Sequence, residues 1–416
     1  MNAPESRKLE QNAGACLLPI DQFYTPEYYQ LEKEKVFKKS WLRVGAESEV
    51  ENVGDYFVKE LVACDTSVIV VRGRDKKVRA FHNHCSHRGN RVAYDRSGNT
   101  TAFKCRFHSW AYGLDGSLRA LPEEHLFPGL DKSKHGLTEV ACETWEGFIF
   151  VNVDPKPEKT LREYLGEDIY NGFNGLFKHY KMINRLTMIV PLNWKACLNA
   201  FVETYHFSTV HLPSAGNVAL SREHPNGQLL AFRERGERGE HCLGSATTGI
   251  TPESFAPTPT QQLVGKFGGN SLMLIDDKGI GNPPEVNPAN LPDWLTDIMI
   301  VFPMHDIQVL KGFVSTIDFW PVSHNETYWE ACTYMLPRQS IAEDVVAEYS
   351  RAHIRDLLRE DIYNLAMVQT NLVAGTKKFH VLGEMEPLVK HTYKAVAEYV
   401  GSGWGSAVPS KIVYPD

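Results

Sequence analysis

The alternation of apolar and polar positions changes character several times along the chain. Residues 27–41, EYYQLEKEKVFKKSW, carry apolar side chains at helical spacing and predict a short leading helix. From about 42 to 153 the texture shifts to short β-branched and aromatic runs such as SVIVVRG, KVRAFHNHC, TAFKCRFH and GFIFVNV. Gly, Asp and Asn turns separate them, which predicts a compact antiparallel β domain. DPKPEK at 154–159 reads as a linker, and beyond it helix and strand patterns mix. A helix is predicted over 194–210, and a Pro/Gly-rich stretch at 249–292 reads as a functional lid. A long helix is predicted to start at Ser340, where Ser340-Ile-Ala-Glu343 has the capping-box pattern. Its inward stripe runs Ile354, Leu357/Leu358, Asp361, Leu365, Val368 and Leu372.

Composition narrows the class. With 416 residues, 43% hydrophobic and 23% charged, the chain has the make-up of an ordinary globular protein with room for two or three domains. A net charge of -7 argues against nucleic acid or an anionic membrane as the main partner. No stretch approaches the roughly 20 apolar residues of a membrane span, and the N-terminus has no secretory pattern. Eight cysteines in a chain this long form no disulfide framework, so the cytoplasm is expected. There is no GxGxxG fingerprint and no P-loop, so the chain offers no obvious site for taking electrons from a nucleotide itself.

The candidate chemistry lies in two places. Residues 85–110 read CSHRGNRVAYDRSGNTTAFKCRFHSW, with Cys85 and His87 on one arm and Cys105 and His108 on another. A structural zinc site uses the same ligand types, but zinc motifs usually pair Cys with Cys and His with His. One Cys and one His per arm suit a two-iron, two-sulfur cluster with two thiolates on one iron and two imidazoles on the other. Gly89 permits a tight turn after the first arm. His82 and His84 lie beside the motif, and one of them at least reads as an ordinary polar strand residue.

The second place is NWKACLNAFVETYHFSTVHLP, residues 193–213. On an ideal helix Asn199, Glu203 and His206 fall within about 60° of one another. His211 lies about 140° from His206, so it converges only if the helix distorts or ends, and Pro213 makes an ending plausible. Alone, this is a polar helix face. Asp361 changes the balance, because it occupies an apolar slot of its helix whereas Glu360 and Asp356 do not. A buried carboxylate needs a partner: a metal held with two histidines, or an inward-reaching Arg or Lys.

These residues resemble the Rieske non-heme iron oxygenases, in particular the large (alpha) subunits of aromatic ring-hydroxylating dioxygenases, over nearly the whole chain. CSHRG and CRFHSW are similar to the cluster arms of that family. NWK with Asn199, Glu203, His206 and His211 is similar to its iron motif, and Asp361, eight residues before Gln369, sits where its third ligand does. Two features depart from the pattern: Ser109 stands where glycine is usual, and Glu203 where ring dioxygenases commonly carry Asp. The resemblance implies an α+β protein with three parts: an N-terminal segment (1–41) packing on the catalytic domain, an antiparallel β Rieske domain (42–153), and a helix-grip catalytic domain (154–416). It implies one Rieske 2Fe-2S cluster on Cys85, His87, Cys105 and His108, and one mononuclear Fe(II) on His206, His211 and Asp361. Glu203 would bridge His206 to His108 of a neighbouring subunit, and Asn199 would line the site. The expected protein is a terminal oxygenase, fed by a separate NAD(P)H-dependent reductase with or without a ferredoxin. It would assemble as a homotrimer, with or without a small β subunit. It would use dioxygen to hydroxylate an aromatic or other apolar ring. The alternatives are a monooxygenase or demethylase acting on a quaternary ammonium compound, and a non-enzymatic Rieske electron carrier.

Overall fold

The computed structural model describes residues 16–211, 228–247, 258–268, 281–292, 294–310 and 312–402. The chain divides into two compact units: Lys33–Tyr164, and Met1–Glu32 together with Leu165–Asp416. The β unit is broader than the run of short strands that announces it, since residues 33–41 and 154–164 belong with it.

Strand β1 (Cys16–Pro19) precedes the leading helix α1 (Pro26–Lys35). The β unit then contributes β2 (Leu42–Ala46), β3 (Asp55–Leu61), β4 (Thr66–Arg72), β5 (Val78–His82) and β6 (Ser97–Asn99). There follow β7 (Phe103–Lys104), β8 (Ala111–Tyr112), β9 (Leu118–Ala120), β10 (Glu139–Trp145) and β11 (Phe148–Asn152). A seven-stranded sheet has the order β2-β11-β10-β5-β4-β3-β6, and β7, β8 and β9 form a smaller one. The unbroken apolar run of β4 is buried from Ser67 to Val71, which is why it lacks a period of two. The cluster arms are the loops between these strands.

The segment α2 (Leu161–Gly172), two helical pieces broken by a kink at Gly166 (φ 77°), contains the sequence boundary between the units. In chain order the larger unit continues with β12 (Lys181–Val190), α3 (Trp194–Asn199), α4 (Phe207–Val210), β13 (Gln228–Arg235), β14 (His241–Thr247) and α5 (Pro259–Gly265). Strands β15 (Thr296–Val301), β16 (His305–Leu310), β17 (Phe313–Ser323) and β18 (Glu326–Met335) are followed by α6 (Ile341–Ala374). The chain then forms β19 (Phe379–Leu382), which pairs antiparallel with β1, and α7 (Pro387–Val400). The sheet order is β12-β18-β17-β16-β15-β14-β13, every pairing antiparallel. Helices α3, α6 and α7 pack against β17, β12 and β14. Gly244 leaves room for α7, because a Cβ there would meet Leu388 Cδ1 at 2.7 Å. The expected α+β class and helix-grip architecture are what the chain forms.

One expectation lies partly outside the described residues and one needs correction. Within the 249–292 stretch only residues 258–268 and 281–292 are among the described residues, so the rest of the expected lid lies outside them. The helix predicted over 194–210 is two short helices with a break between. In a continuous helix the Phe201 carbonyl would accept from Tyr205 N–H. Instead Gln308 Nε2 donates to Phe201 O at 3.1 Å, and Tyr205 N–H turns to the Glu203 carboxylate. One tertiary hydrogen bond and one local one displace the helical bond.

Candidate metal centres

The two cluster arms are backbone copies of each other. Gly89 N–H donates to Cys85 O and Ser109 N–H to Cys105 O, both at 2.9 Å; Cys85 N–H donates to Asn90 O and Cys105 N–H to Trp110 O. Each arm therefore turns within five residues, and the turn needs a left-handed residue, Gly89 (φ 76°) or Ser109 (φ 60°). Asn83 sets the root of the first arm: its Oδ1 accepts from Val92 and Ala93 N–H, and its Nδ2 donates to Ala93 O. Tyr94 Oη ties the arms together, accepting from Asn90 Nδ2 (2.8 Å) and from Arg106 N–H (3.1 Å).

All four predicted cluster residues converge. Cys85 and Cys105 are buried, whereas His87 and His108 are half-buried with their Nδ1 atoms 3.1 Å apart. His87 lies flat on Trp110, ring centroids 4.9 Å apart. Tyr112 Oη takes a hydrogen bond from Ser86 N–H and sits 3.1 Å from Cys85 Sγ. Two inward sulfurs and two outward imidazole nitrogens fit a Rieske cluster by donor chemistry. His82 bonds Thr66 Oγ1 through Nδ1 (2.7 Å), so it is a satisfied strand residue.

The second centre is built by the turn that replaces the predicted helix. Asn193 caps α3, its Oδ1 accepting from Lys195 N–H, and its own N–H donates to Gln369 Oε1 on α6 (3.0 Å). Trp194 Nε1 and Lys195 Nζ both donate to the fully buried Glu32 carboxylate, locking α3 to the N-terminal segment. His206 and His211 then bracket the single turn of α4 as its N-cap and C-cap. Their five-residue spacing thereby becomes convergent. Each Nε2 faces Asp361 Oδ1 on α6, at 3.4 Å for His206 and 3.2 Å for His211. The three ligand atoms lie within 4.8 Å of one another.

Asp361 decides what this arrangement is for. Its side chain is 4% exposed, and Oδ1 accepts no well-formed hydrogen bond; the polar atoms it faces are the two imidazole Nε2 atoms. A buried carboxylate needs a compensating positive charge. Protonated His206 supplies it in the metal-free chain, and a divalent cation held by Asp361 and the two histidines would supply it in its place, so the residues fit the metal. Burial pulls the His206 imidazolium down, but Asp361 and Glu203 outweigh it and set its pKa at about 9 in the metal-free chain. Glu203 Oε1 accepts from His206 Nδ1 while Oε2 accepts from Tyr205 N–H.

The remaining predicted residues are placed differently. Asn199 donates from Nδ2 to Tyr393 Oη on α7 (2.5 Å), leaving its Oδ1 without a bond. Phe201 and Val202 are core: Phe201 packs on Phe319 and Trp329. Glu360 was passed over because it lies off the apolar stripe, yet its Oε2 stands 3.0 Å from His211 Nδ1. Only its position beside Asp361 hinted at that.

A Rieske-type β unit joined to a helix-grip unit with a two-histidine, one-carboxylate cluster defines the class, and comparison with known proteins agrees. The ring hydroxylating alpha subunit (catalytic domain) family matches residues 177–402, and the Rieske [2Fe-2S] domain matches residues 40–131. The chain belongs to the family of ring-hydroxylating alpha subunits. Its two domains are those that bind a Rieske 2Fe-2S cluster and a mononuclear iron. The carnitine monooxygenase oxygenase subunit of Escherichia coli (strain K12) is 33% identical over 204 residues, 48% of this chain and 54% of that one. The match thus spans about half the length of that relative. The large oxygenase component of the naphthalene 1,2-dioxygenase system of Pseudomonas aeruginosa is 29% identical over 77% of this chain and 70% of its own. Among solved structures, a quaternary ammonium Rieske monooxygenase in complex with L-carnitine has a TM-score of 0.70 at 20% identity, covering 96% of this chain and 99% of that one. Naphthalene 1,2-dioxygenase from Rhodococcus sp. bound to indole has a TM-score of 0.70 at 19% identity, covering 93% and 95%. These likenesses show the fold. Among the described residues no helix is long and apolar enough to cross a membrane.

Proposed function

We propose that the chain is the terminal oxygenase component of a Rieske system, hydroxylating a small organic substrate with dioxygen and electrons from a separate reductase. The observation that carries it is buried Asp361 facing two imidazole Nε2 atoms, in a chain that also holds a Rieske domain. A simple electron carrier needs no second metal site. Cys85, His87, Cys105 and His108 would hold the cluster, and His206, His211 and Asp361 the iron. When bound, the cluster supplies one-electron transfer and the iron dioxygen activation.

The chain's own residues do the rest. Asp361 would neutralise part of the charge of a metal held with His206 and His211. Glu203 holds a proton on His206 Nδ1, so that the proton a metal would displace is the one on Nε2, beside Asp361. On the family resemblance Glu203 also reaches the neighbouring subunit's His108 in a homotrimer, and Asn199 borders the site. The six cysteines outside the cluster motif form no disulfide, which suits the cytoplasm.

For substrate, an apolar ring compound is the first reading and a quaternary ammonium compound the second. Glu203 in place of the usual Asp, and the carnitine monooxygenase relatives, support the second. The test is anaerobic purification followed by metal and sulfide analysis, then a screen of ring and quaternary-amine substrates with a surrogate reductase. We expect about three irons and two labile sulfides per chain. Stoichiometric zinc without labile sulfide would refute the reading.

A further inference from the structure

We propose that Glu360 is a positioning residue of the second metal centre: it holds His211 in the tautomer and ring orientation that turn Nε2 toward Asp361. This rests on His206, His211 and Asp361 being the metal ligands. His211 is the more enclosed of the two imidazoles, its side chain 3% exposed, and its Nδ1 lies 3.0 Å from Glu360 Oε2. A neutral imidazole carries one proton. With that proton on Nδ1 and donated to a carboxylate, the lone pair is left on Nε2, the atom 3.2 Å from Asp361 Oδ1.

Two consecutive residues of α6 therefore engage both nitrogens of one ring. Successive positions on a helix point about 100° apart, so Asp361 can face inward while Glu360 faces the outer edge of the imidazole. Burial follows that division: the Glu360 side chain is 18% exposed and that of Asp361 4%. A ring held at both nitrogens cannot flip to present Nδ1 instead. His206 is treated the same way by a different element, since Glu203 accepts from its Nδ1 while its Nε2 faces Asp361. Each histidine thus has its own glutamate, and a carboxylate behind a ligating imidazole raises its basicity as well as fixing its tautomer. An ordinary helix-surface glutamate would add to the stability of α6 and leave metal affinity alone.

The test uses the full chain with its iron–sulfur cluster retained and the mononuclear metal removed by chelation. Mn(II) is titrated in, and the free aqueous ion is counted by its EPR signal. We expect E360A to weaken Mn(II) binding by about 10–100-fold, the usual range for such a partner. E360Q keeps an acceptor for Nδ1–H but loses the charge, so its loss should be smaller than that of E360A. Thermal unfolding of the metal-free proteins separates the two roles, because a structural glutamate would lower Tm without moving the Mn(II) affinity. An E360A protein that binds within about threefold of the unaltered chain overturns the proposal. If E360A does not fold, E360Q decides, and unchanged affinity in it overturns the proposal equally. H211A, run in parallel, isolates the underlying assignment: a variant that binds Mn(II) as tightly as the unaltered chain refutes the ligand set and Glu360's role with it.

Discussion

Ser109 offers a test that depends on backbone geometry alone. It occupies the left-handed region at φ 60°, closing the second cluster arm in the place where Gly89 (φ 76°) closes the first. The left-handed conformation costs an L-residue roughly 1–2 kcal/mol, and glycine is free of that penalty. Glycine loses about 0.5–1 kcal/mol more than other residues through the entropy of the unfolded chain. No hydrogen bond of Ser109 Oγ stands to be lost, and its N–H bond to Cys105 O would remain. The balance for Ser109→Gly is a gain of about 0.5–1 kcal/mol, a rise in Tm of about 2–4 °C for a unit of this size. Gly89→Ser should do the reverse, at a cost of about 1 kcal/mol, since nothing lies within 4 Å of a Cβ built there and only the backbone objects. The assay is thermal loss of the cluster's visible absorption and circular dichroism, with cluster content checked by sulfide analysis. If Ser109→Gly melts at or below the unaltered protein, or Gly89→Ser is neutral, the left-handed residues are not what limits the arms.

Cys85→Ser should abolish the visible absorption of the cluster, whereas Asp361→Ala should keep it, lose about one iron per chain and lose turnover; full activity in Asp361→Ala would move the third ligand elsewhere. Glu203→Gln gives one acceptor oxygen to two N–H donors, His206 Nδ1 and Tyr205 N, so one donor must face the amide NH₂. Reoxidation of the reduced cluster by substrate and dioxygen should slow by at least about tenfold in stopped-flow, with iron content measured alongside; normal reoxidation at full occupancy would make Glu203 an ordinary surface carboxylate. In the metal-free chain the raised His206 pKa of about 9 stabilises the fold fully below the unfolded value near 6.5, and that contribution fades as pH rises through about 9. Metal must displace the same proton, so Mn(II) affinity should climb by up to about tenfold per pH unit across that window; a flat profile between about pH 7 and 9 would show that His206 binds no metal.

Much of the chemistry was legible in the chain because it is local. Chelating pairs with one or two residues between them, such as Cys85/His87 and Cys105/His108, bring their ligands together in a turn that closes. The periodic stripe of α6 marked Asp361 as a carboxylate in an apolar slot, and burial alone made it demand a partner. The Ser340 side chain accepts from Glu343 N–H, as the capping pattern requires, although the Glu343 carboxylate takes the N–H of Gln339.

What the tertiary structure decided are the features that depend on groups far apart in sequence. The predicted helix over 194–210 breaks because Gln308, on a strand about a hundred residues away, captures the Phe201 carbonyl. No local propensity contains that bond. The break lets His206 and His211 cap a single turn and converge, which an ideal helix forbids. Glu360 acquired meaning only when His211, 149 positions earlier, arrived beside it. Phe201 and Val202 went to the core for the complementary reason: apolar pattern reports that a side chain is buried, not whether protein or substrate buries it. Periodicity and spacing determine which residues must leave water and which can chelate. Hydrogen bonds between distant segments determine where the chain departs from its local preference, and here the metal site is assembled at such a departure.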